Sequence, residues 1–596
     1  MHLKSPYPPV PPIPDTLNVH DFIFNTPTKT APDYVSLVDV VSGDKLTRRQ
    51  LEERVRDAAT ALGASVEEGG LGLSGDAGDI VAICSGNCMD FITLLHACLV
   101  VTTPFALVSS YSTHLELVHA LRLTNATRVF VHPSILPRML TAAQEVGLPE
   151  DRVYVLEGTT SEVGGRRKNL GELIEGVRTR GMERVPVRQA TKDTLAYLVF
   201  SSGTTGLPKA VMISHGNMWF TLVSGDIVGA VDFEVTKVLP PPARQMSYAT
   251  DSSLLQFVPP FPPVTLAVLP FYHTYGLQLF CIRCVINPVT YVVVPKWDPR
   301  VVLKAIPKFK INYVLLVPSI IHQLVESGML DKADLSSVWG VATGAAFLPP
   351  KVEEKFTSIV KQVPRVQVGY GLSECTLSSM RSPVPGILGG KIPIRGSTGI
   401  LLPGIEARVL RDDGSEADYN EPGELWLKGG NVALGYFRNE QATKETFVNG
   451  WLRTGDRFTV DENDNFFFVD RIKDTLKVSG AQVSPTEIEE VLRMHPAKLL
   501  SDVCVAGVSG GRTSDEKVPR AWVVLSAEAK RRGNVKEVLD EVEAWARKSL
   551  SKYKWLRGGI EVVDEIPKSP TGKVLRRQLQ DRYEAELLAR QARSKL

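Results

Sequence analysis

The sequence predicts an α/β protein with a large N-terminal domain over residues 1–470 and a smaller α+β domain over 476–596. Three observations carry this reading. Residues 1–345 alternate helical apolar periodicity with short apolar runs, the texture of strands linked through crossover helices. From Gly399 to Phe468 the pattern changes to short strands separated by turns. The charged run Asp470-Arg471-Ile472-Lys473-Asp474 then interrupts the chain, and 471–475 is read as a joint between the two domains. A chain of 596 residues also exceeds what one hydrophobic core can use.

Strands are expected at Ile80–Ile83, Arg128–Val131 and Arg152–Leu156, short aliphatic runs of the kind that bury both faces of a parallel sheet. The series continues at Leu195–Phe200, Ala210–Ile213, Leu266–Leu269, Tyr291–Val294, Tyr313–Val317 and Val338–Thr343. Segment 230–263 holds Pro240-Pro241-Pro242, Pro259-Pro260 and Pro262-Pro263 and is expected to be a long loop or insertion. Ala407–Leu410, Glu424–Lys428 and Asn465–Val469 read as short strands. Past the joint, helices are expected at Ser484–Met494, Val535–Leu550 and Gln578–Arg593, and strands at Asp502–Val508, Arg520–Leu525 and Gly559–Val563.

Composition narrows the function classes. Hydrophobic residues make up 43% and charged residues 22%, ordinary for a globular protein. A net charge of +2, with no basic stripe interleaved with aromatics, gives no case for a nucleic-acid partner. No apolar stretch reaches the ~20 residues of a membrane span. The proline-rich start lacks the apolar core of a secretory signal. The seven cysteines are scattered, which fits a reducing compartment, and Cys281-Ile-Arg-Cys284 lies in an apolar segment, as buried structural thiols do. The terminal Ser594-Lys595-Leu596 has the form of a peroxisomal address, so an import receptor is an expected partner and the peroxisome the expected location.

Chemistry concentrates first in Tyr197–Asn217. An apolar run ends in Ser201-Ser202-Gly203-Thr204-Thr205-Gly206, then Leu207-Pro208-Lys209, then a second apolar run. This reads as strand, tight loop, strand. Glycines let the backbone bend toward a ligand, hydroxyls and N–H groups can surround phosphate oxygens, and Lys209 adds a cation. A Walker A loop is excluded, because no G-K-[ST] opens a helix here. A plain polar hairpin would share the composition but not the whole string.

The string S-S-G-T-T-G-L-P-K resembles the phosphate loop of the acyl-adenylate-forming superfamily (the AMP-binding enzymes), with Ala210 where that family usually has Gly. Further motifs follow in the family's order, and overall the chain resembles its 4-coumarate–CoA ligase-like, acyl-CoA synthetase subgroup. The resemblance implies two α/β sheet subdomains plus a small β-barrel, and a smaller, mobile C-terminal lid. It implies ATP and coenzyme A as co-substrates of a carboxylic acid, with Mg²⁺ on the triphosphate. It places His273 and Tyr275 in the acyl pocket with Gly344 and Gly369, His273 gating access, and Gly344-Ala345-Ala346 beside the adenine. Tyr370 would offer a stacking face, Gly371 and Ser373 would lie near the nucleotide, and Glu374 would hold the metal. Ser373 stands where Thr is usual.

In the same resemblance Asp456 and Arg471 hold the ribose, Lys473 is the hinge, and Lys573 bridges acid and α-phosphate during adenylation. Lys477 and Gln482, with Ser479 and Gly480 between them, would face the site during thioester formation, Ser479 replacing the subgroup's second Lys. The implied reaction is a two-step acid–CoA ligation, with rotation about Lys473 exchanging the two faces. A luciferase-type oxygenase and a carrier-loading adenylation enzyme are the rivals within the superfamily. Outside it, Gly507-Val508-Ser509-Gly510-Gly511 fits the elbow of a serine hydrolase, but the residues beyond read as a hairpin rather than a helix. Gly70-Leu71-Gly72-Leu73-Ser74-Gly75 fits a dinucleotide fingerprint in the reverse strand–helix context.

Overall fold

A computed structural model describes the chain except for residues 26–31, 159–166, 202–207, 237–261, 472–475, 479–480, 484, 510–516, 551–553, 569–573 and 594–596. Two sheets dominate the N-terminal part. The first has seven strands, with a parallel centre formed by Leu195–Ser201, Phe105–Val108, Val81–Cys84, Arg128–Val131 and Val153–Val155. Lys209–Ser214 and Gly435–Tyr436 extend it antiparallel at one edge. The second has nine strands and is parallel from Gln367–Tyr370 through Gly340–Thr343, Tyr313–Leu316, Val264–Ala267 and Thr290–Val293 to Val35–Asp39.

Period-2 alternation explains how these sheets pack. Val81 and Ile83 point into one large core together with Ala267, Tyr291, Val293, Tyr313 and Leu315 of the other sheet. Ala82 and Cys84 face a separate outer core with Val129 and Val131, while Leu266, Val292, Val314 and Leu316 face another. Helix Met89–Val100 lies in the shared core and is buried from Phe91 to Val100, so it has no polar face to show. The expected small barrel is a six-stranded antiparallel sheet. It runs His2–Lys4, Glu406–Leu410, Gly423–Lys428, Trp451–Val460 and Phe447–Val448, with Phe466–Arg471 also on Trp451–Val460. The proline-rich N-terminus is thus tied into this sheet by its first residues.

Beyond 475 the chain builds its own cores. Leu476, Val503, Val505, Val523 and Val542 share one, and Cys504, Val508, Trp522 and Leu579 share another, the two faces of the hairpin Leu500–Ser509 and Lys517–Leu525. Helices Pro485–Arg493, Val535–Ser549 and Arg576–Arg593 cover it, close to the predicted spans.

One expectation needs correction. The segment 230–263 is not loop throughout: residues 230–236 finish the helix His215–Thr236, and proline begins only at 240. The rest of that segment to 261 lies outside the described residues. The serine-hydrolase elbow also fails, because Ser509 ends one strand of an antiparallel pair whose other strand, from Lys517, is the next described element, rather than standing before a helix. No helix among the described residues is long and apolar enough to cross a membrane. All seven cysteines are buried and free, and the Cys284 thiol donates to the Cys281 carbonyl at 3.0 Å, a structural contact.

Candidate active site

A cleft of about 900 Å³ opens where the two sheets, the antiparallel sheet and the C-terminal unit meet. Sequence-predicted residues from six separate stretches line it: Ser201 and Lys209, His273 and Tyr275, Gly344 and Ala345, Gly369 with Gly371, Ser373 and Glu374, Asp456, and Arg471. Ala346 and Tyr370 are not in the lining; Ala346 is exposed beside it and Tyr370 is buried behind it. Ser202, Gly203, Thr204, Thr205, Gly206, Lys473, Ser479, Gly480 and Lys573 lie outside the described residues, as do Ser594, Lys595 and Leu596.

The strands that flank residues 202–207 pair with each other. Ser201 and Lys209 are register partners at the ends of these strands, and both line the cleft. The Lys209 ammonium sits 4.7 Å from the Tyr436 ring centroid. The Tyr436 hydroxyl donates to Glu374 Oε1 at 2.9 Å, which fixes that carboxylate. Burial and the adjacent Glu374 charge push the Tyr436 phenol up, so it stays a donor. Tyr436 was not legible in the sequence: it is one aromatic in a short strand, with no pattern of its own.

Asp456 is held from two sides. It stands across from Arg471 in the sheet, and Arg471 Nε lies 3.1 Å from its Oδ1. Tyr370 donates to its Oδ2 at 2.8 Å. Tyr370 therefore orients the carboxylate, with its ring edge-on to Phe458 at 4.8 Å. A carboxylate keeps lone pairs beyond these two bonds, so Asp456 can still accept from a ligand.

Small residues here have steric causes. A Cβ on Gly371 would stand 1.7 Å from the Leu377 carbonyl oxygen, and one on Gly344 3.1 Å from that of Gly369. Ala345 adopts φ +68°, the left-handed region that costs an L-residue about 1 kcal/mol. Strain of this kind collects at binding sites. His273 has its Nε2 buried with no hydrogen-bond partner among the described residues, and burial pushes its pKa down to about 4, so the ring is neutral near pH 7.

Lys477 and Gln482 are register partners in the hairpin Leu476–Val478 and Ala481–Val483. Lys568 and Leu575, which lie on either side of Lys573 in the chain, both line the cleft, and Lys568 bridges to Val574. Lys568, Asn431, Thr343 and Arg283 are lining residues that sequence reasoning did not single out.

No group of three or more His, Cys, Asp or Glu side chains gathers among the described residues. A single carboxylate on the cleft wall nevertheless fits Mg²⁺, which binds through one or two carboxylates plus substrate phosphates. Glu374 supplies that carboxylate, with Oε1 taken by Tyr436.

The AMP-binding enzyme family matches residues 24–437, and the AMP-binding enzyme C-terminal domain matches 487–573. A probable 4-coumarate–CoA ligase 1 of Dictyostelium discoideum is 30% identical over 596 residues, covering 97% of each chain. A luciferin 4-monooxygenase of Nipponoluciola cruciata is 32% identical over 525 residues, covering 87% of this chain and 86% of its own. The fold is that of ATP-bound MatB from Rhodopseudomonas palustris, with a TM-score of 0.74 at 23% identity, over 95% of this chain and 98% of that one. The chain belongs to the AMP-binding enzyme family.

Proposed function

We propose that the cleft carries out ATP-dependent ligation of a carboxylic acid to coenzyme A, with the residue roles set out here. In the first half-reaction a carboxylate oxygen attacks the α-phosphorus of ATP and pyrophosphate leaves. In the second, the thiol sulfur of coenzyme A attacks the acyl carbon, AMP leaves and the thiol proton passes to solvent. The observation that carries this reading is convergence. Ser201 and Lys209 at the ends of the phosphate-type motif, the fixed carboxylate at Glu374, the Asp456–Arg471 pair, and His273 with Tyr275 line one cleft. The flanks of Lys573 reach the same cleft.

Asp456 receives the ribose hydroxyls, and Ser201, Ser373 and Lys209 face the phosphates. Glu374 holds Mg²⁺, which supplies charge neutralisation of the triphosphate. Lys573 draws acid and α-phosphate together by offsetting their mutual repulsion. Gln482 and Lys477, on a separate hairpin of the C-terminal unit, serve thioester formation after that unit rotates about Lys473. Its self-contained cores support such rigid-body motion. Ser594-Lys595-Leu596 addresses the protein to peroxisomes, which a tagged chain with and without the tripeptide tests by imaging.

The chemical test is separation of half-reactions. Lys573→Ala is expected to abolish pyrophosphate release while sparing CoA thiolysis of a preformed acyl-adenylate. Equal loss of both sinks the lid exchange. A wild-type chain that adenylates acids but forms no thioester with CoA, or that emits light with a luciferin, would move the assignment to the carrier-loading or oxygenase branch.

A further inference from the structure

We infer, on the ligase reading above, that the acyl end of the cleft receives an acid whose far end bears a second hydrogen-bond-accepting oxygen, a distal carboxylate above all, held by Arg283. Arg283 follows the π-helical turn Leu277–Ile282, lines the cleft and is only 8% exposed. Its Nη2 donates to the Thr221 carbonyl at 3.1 Å. Its Nε and Nη1 are buried with no hydrogen-bond partner among the described residues. A guanidinium cannot shed its charge, so leaving its donors dry is costly unless a ligand supplies the acceptor.

The other arginines lining the cleft mark the contrast. Arg381 pairs with Asp232, Arg453 with Glu424 at 3.2 Å and Arg471 with Asp456 at 3.1 Å. Arg283 has no carboxylate within 4.0 Å among the described residues, although Asp226 lies near enough for its charge to be felt. Asp226 does not line the cleft.

The backbone is also shaped around this group. A Cβ on Gly225 would lie 2.5 Å from Arg283 Nη2. Glycine inside a helix costs about 1 kcal/mol against alanine, and here it leaves the space that the guanidinium occupies. Val228, Leu279 and Leu315 line the same cleft and would carry the apolar body of the acid. An apolar wall with one planar cation suits a chain or ring that ends in a carboxylate.

The test uses the full-length protein with ATP and CoA. Pyrophosphate release is measured for n-alkanoates and α,ω-dicarboxylates of matched length, C4 to C12, and for 3-phenylpropenoate against its para-carboxy derivative. Wild type is expected to prefer at least one diacid over its matched monoacid by about tenfold in kcat/KM. Arg283→Leu should lower that diacid-to-monoacid ratio about tenfold, which a general loss of activity would leave unchanged. Arg283→Lys keeps a charge without the planar fork and should retain part of the ratio. It also stands in if the leucine variant does not fold. Monoacids turned over while every diacid is inert, or a ratio unmoved by either variant, overturns the inference and leaves the ligase reading intact. No adenylation of any acid overturns both.

Discussion

At the scale of single residues, the cleft is organised by a few charged groups whose partners are already in place. Asp456 is 2% exposed and bonded to both Tyr370 and Arg471. Removing the carboxylate leaves Arg471 and the Tyr370 hydroxyl without it, whereas removing only the hydroxyl takes away one bond. Asp456→Ala is therefore expected to lower kcat/KM for ATP about a hundredfold or more, and Tyr370→Phe about tenfold. Steady-state kinetics alongside thermal melting checks this. A Tyr370→Phe effect as large as that of Asp456→Ala would contradict the orienting role. Asp226 makes a second case. Burial pushes its pKa up from 3.8 to about 6, with Arg283 pulling the other way. A raised carboxylate pKa destabilises the fold once pH rises through that range, and the cost disappears below the unfolded value. Asp226→Asn should therefore raise the melting temperature at pH 8 and leave it nearly unchanged at pH 4. A gain of the same size at both values would point to packing instead of charge.

At the scale of elements, strands were the most legible feature. Arg128–Val131 matches its expected span residue for residue, and Leu195–Ser201 and Thr290–Val293 fall within one residue at each end. Short aliphatic runs buried on both faces leave little freedom in where a strand can lie. The strand Phe466–Arg471 ends at the start of 471–475, the charged stretch read as a joint, and 472–475 lie outside the described residues. The helix His215–Thr236 was not predicted, and prolines further along led its last residues to be read as loop. Site residues were legible where they sat in ordered motifs. Tyr436 and Arg283 were not, because what defines them is a partner far away in sequence or, for Arg283, the absence of a paired carboxylate among the described residues. Glycines separate the same two cases. Gly371 turns within 1.7 Å of where its Cβ would strike the Leu377 carbonyl, so the contact is backbone on backbone and cannot relax cheaply. Gly455 adopts φ +68° with nothing near its missing Cβ. Gly371→Ala should cost more than about 2 kcal/mol and disrupt the turn carrying Glu374, while Gly455→Ala should cost only about 1 kcal/mol. Chemical denaturation measures both, and a reversed order would show that the turn relaxes around the added methyl.

At the scale of the whole molecule, burial of histidine couples the fold to pH. His96 and His215 are fully buried and His273 lines the cleft, and desolvation lowers each to about 4 from an ordinary 6.5. Each sits in a different place: His96 bonds the Cys281 carbonyl, His215 accepts from the Val19 amide, and His273 lines the cleft. Their effects on stability should therefore add. The sign follows from which state takes up the proton. Above about pH 6.5 both folded and unfolded chains carry neutral rings, and nothing is lost. As pH falls toward 4 the unfolded chain binds protons that the fold excludes, so stability drops. At pH 5 each ring contributes about 2 kcal/mol of loss, while Asp226, shifted in the opposite sense, returns about 1 kcal/mol. Against a typical total of about 5–15 kcal/mol, the net is a large share. The melting temperature is thus expected to fall steeply between pH 7 and pH 5, with net proton uptake on unfolding measurable by calorimetry in buffers of different ionisation enthalpy. His215→Gln should flatten that fall by its own share while leaving the cleft untouched. A melting temperature level or rising over this interval would mean that these rings are solvated or charged in the fold, and the dry core between the two sheets would have to be abandoned.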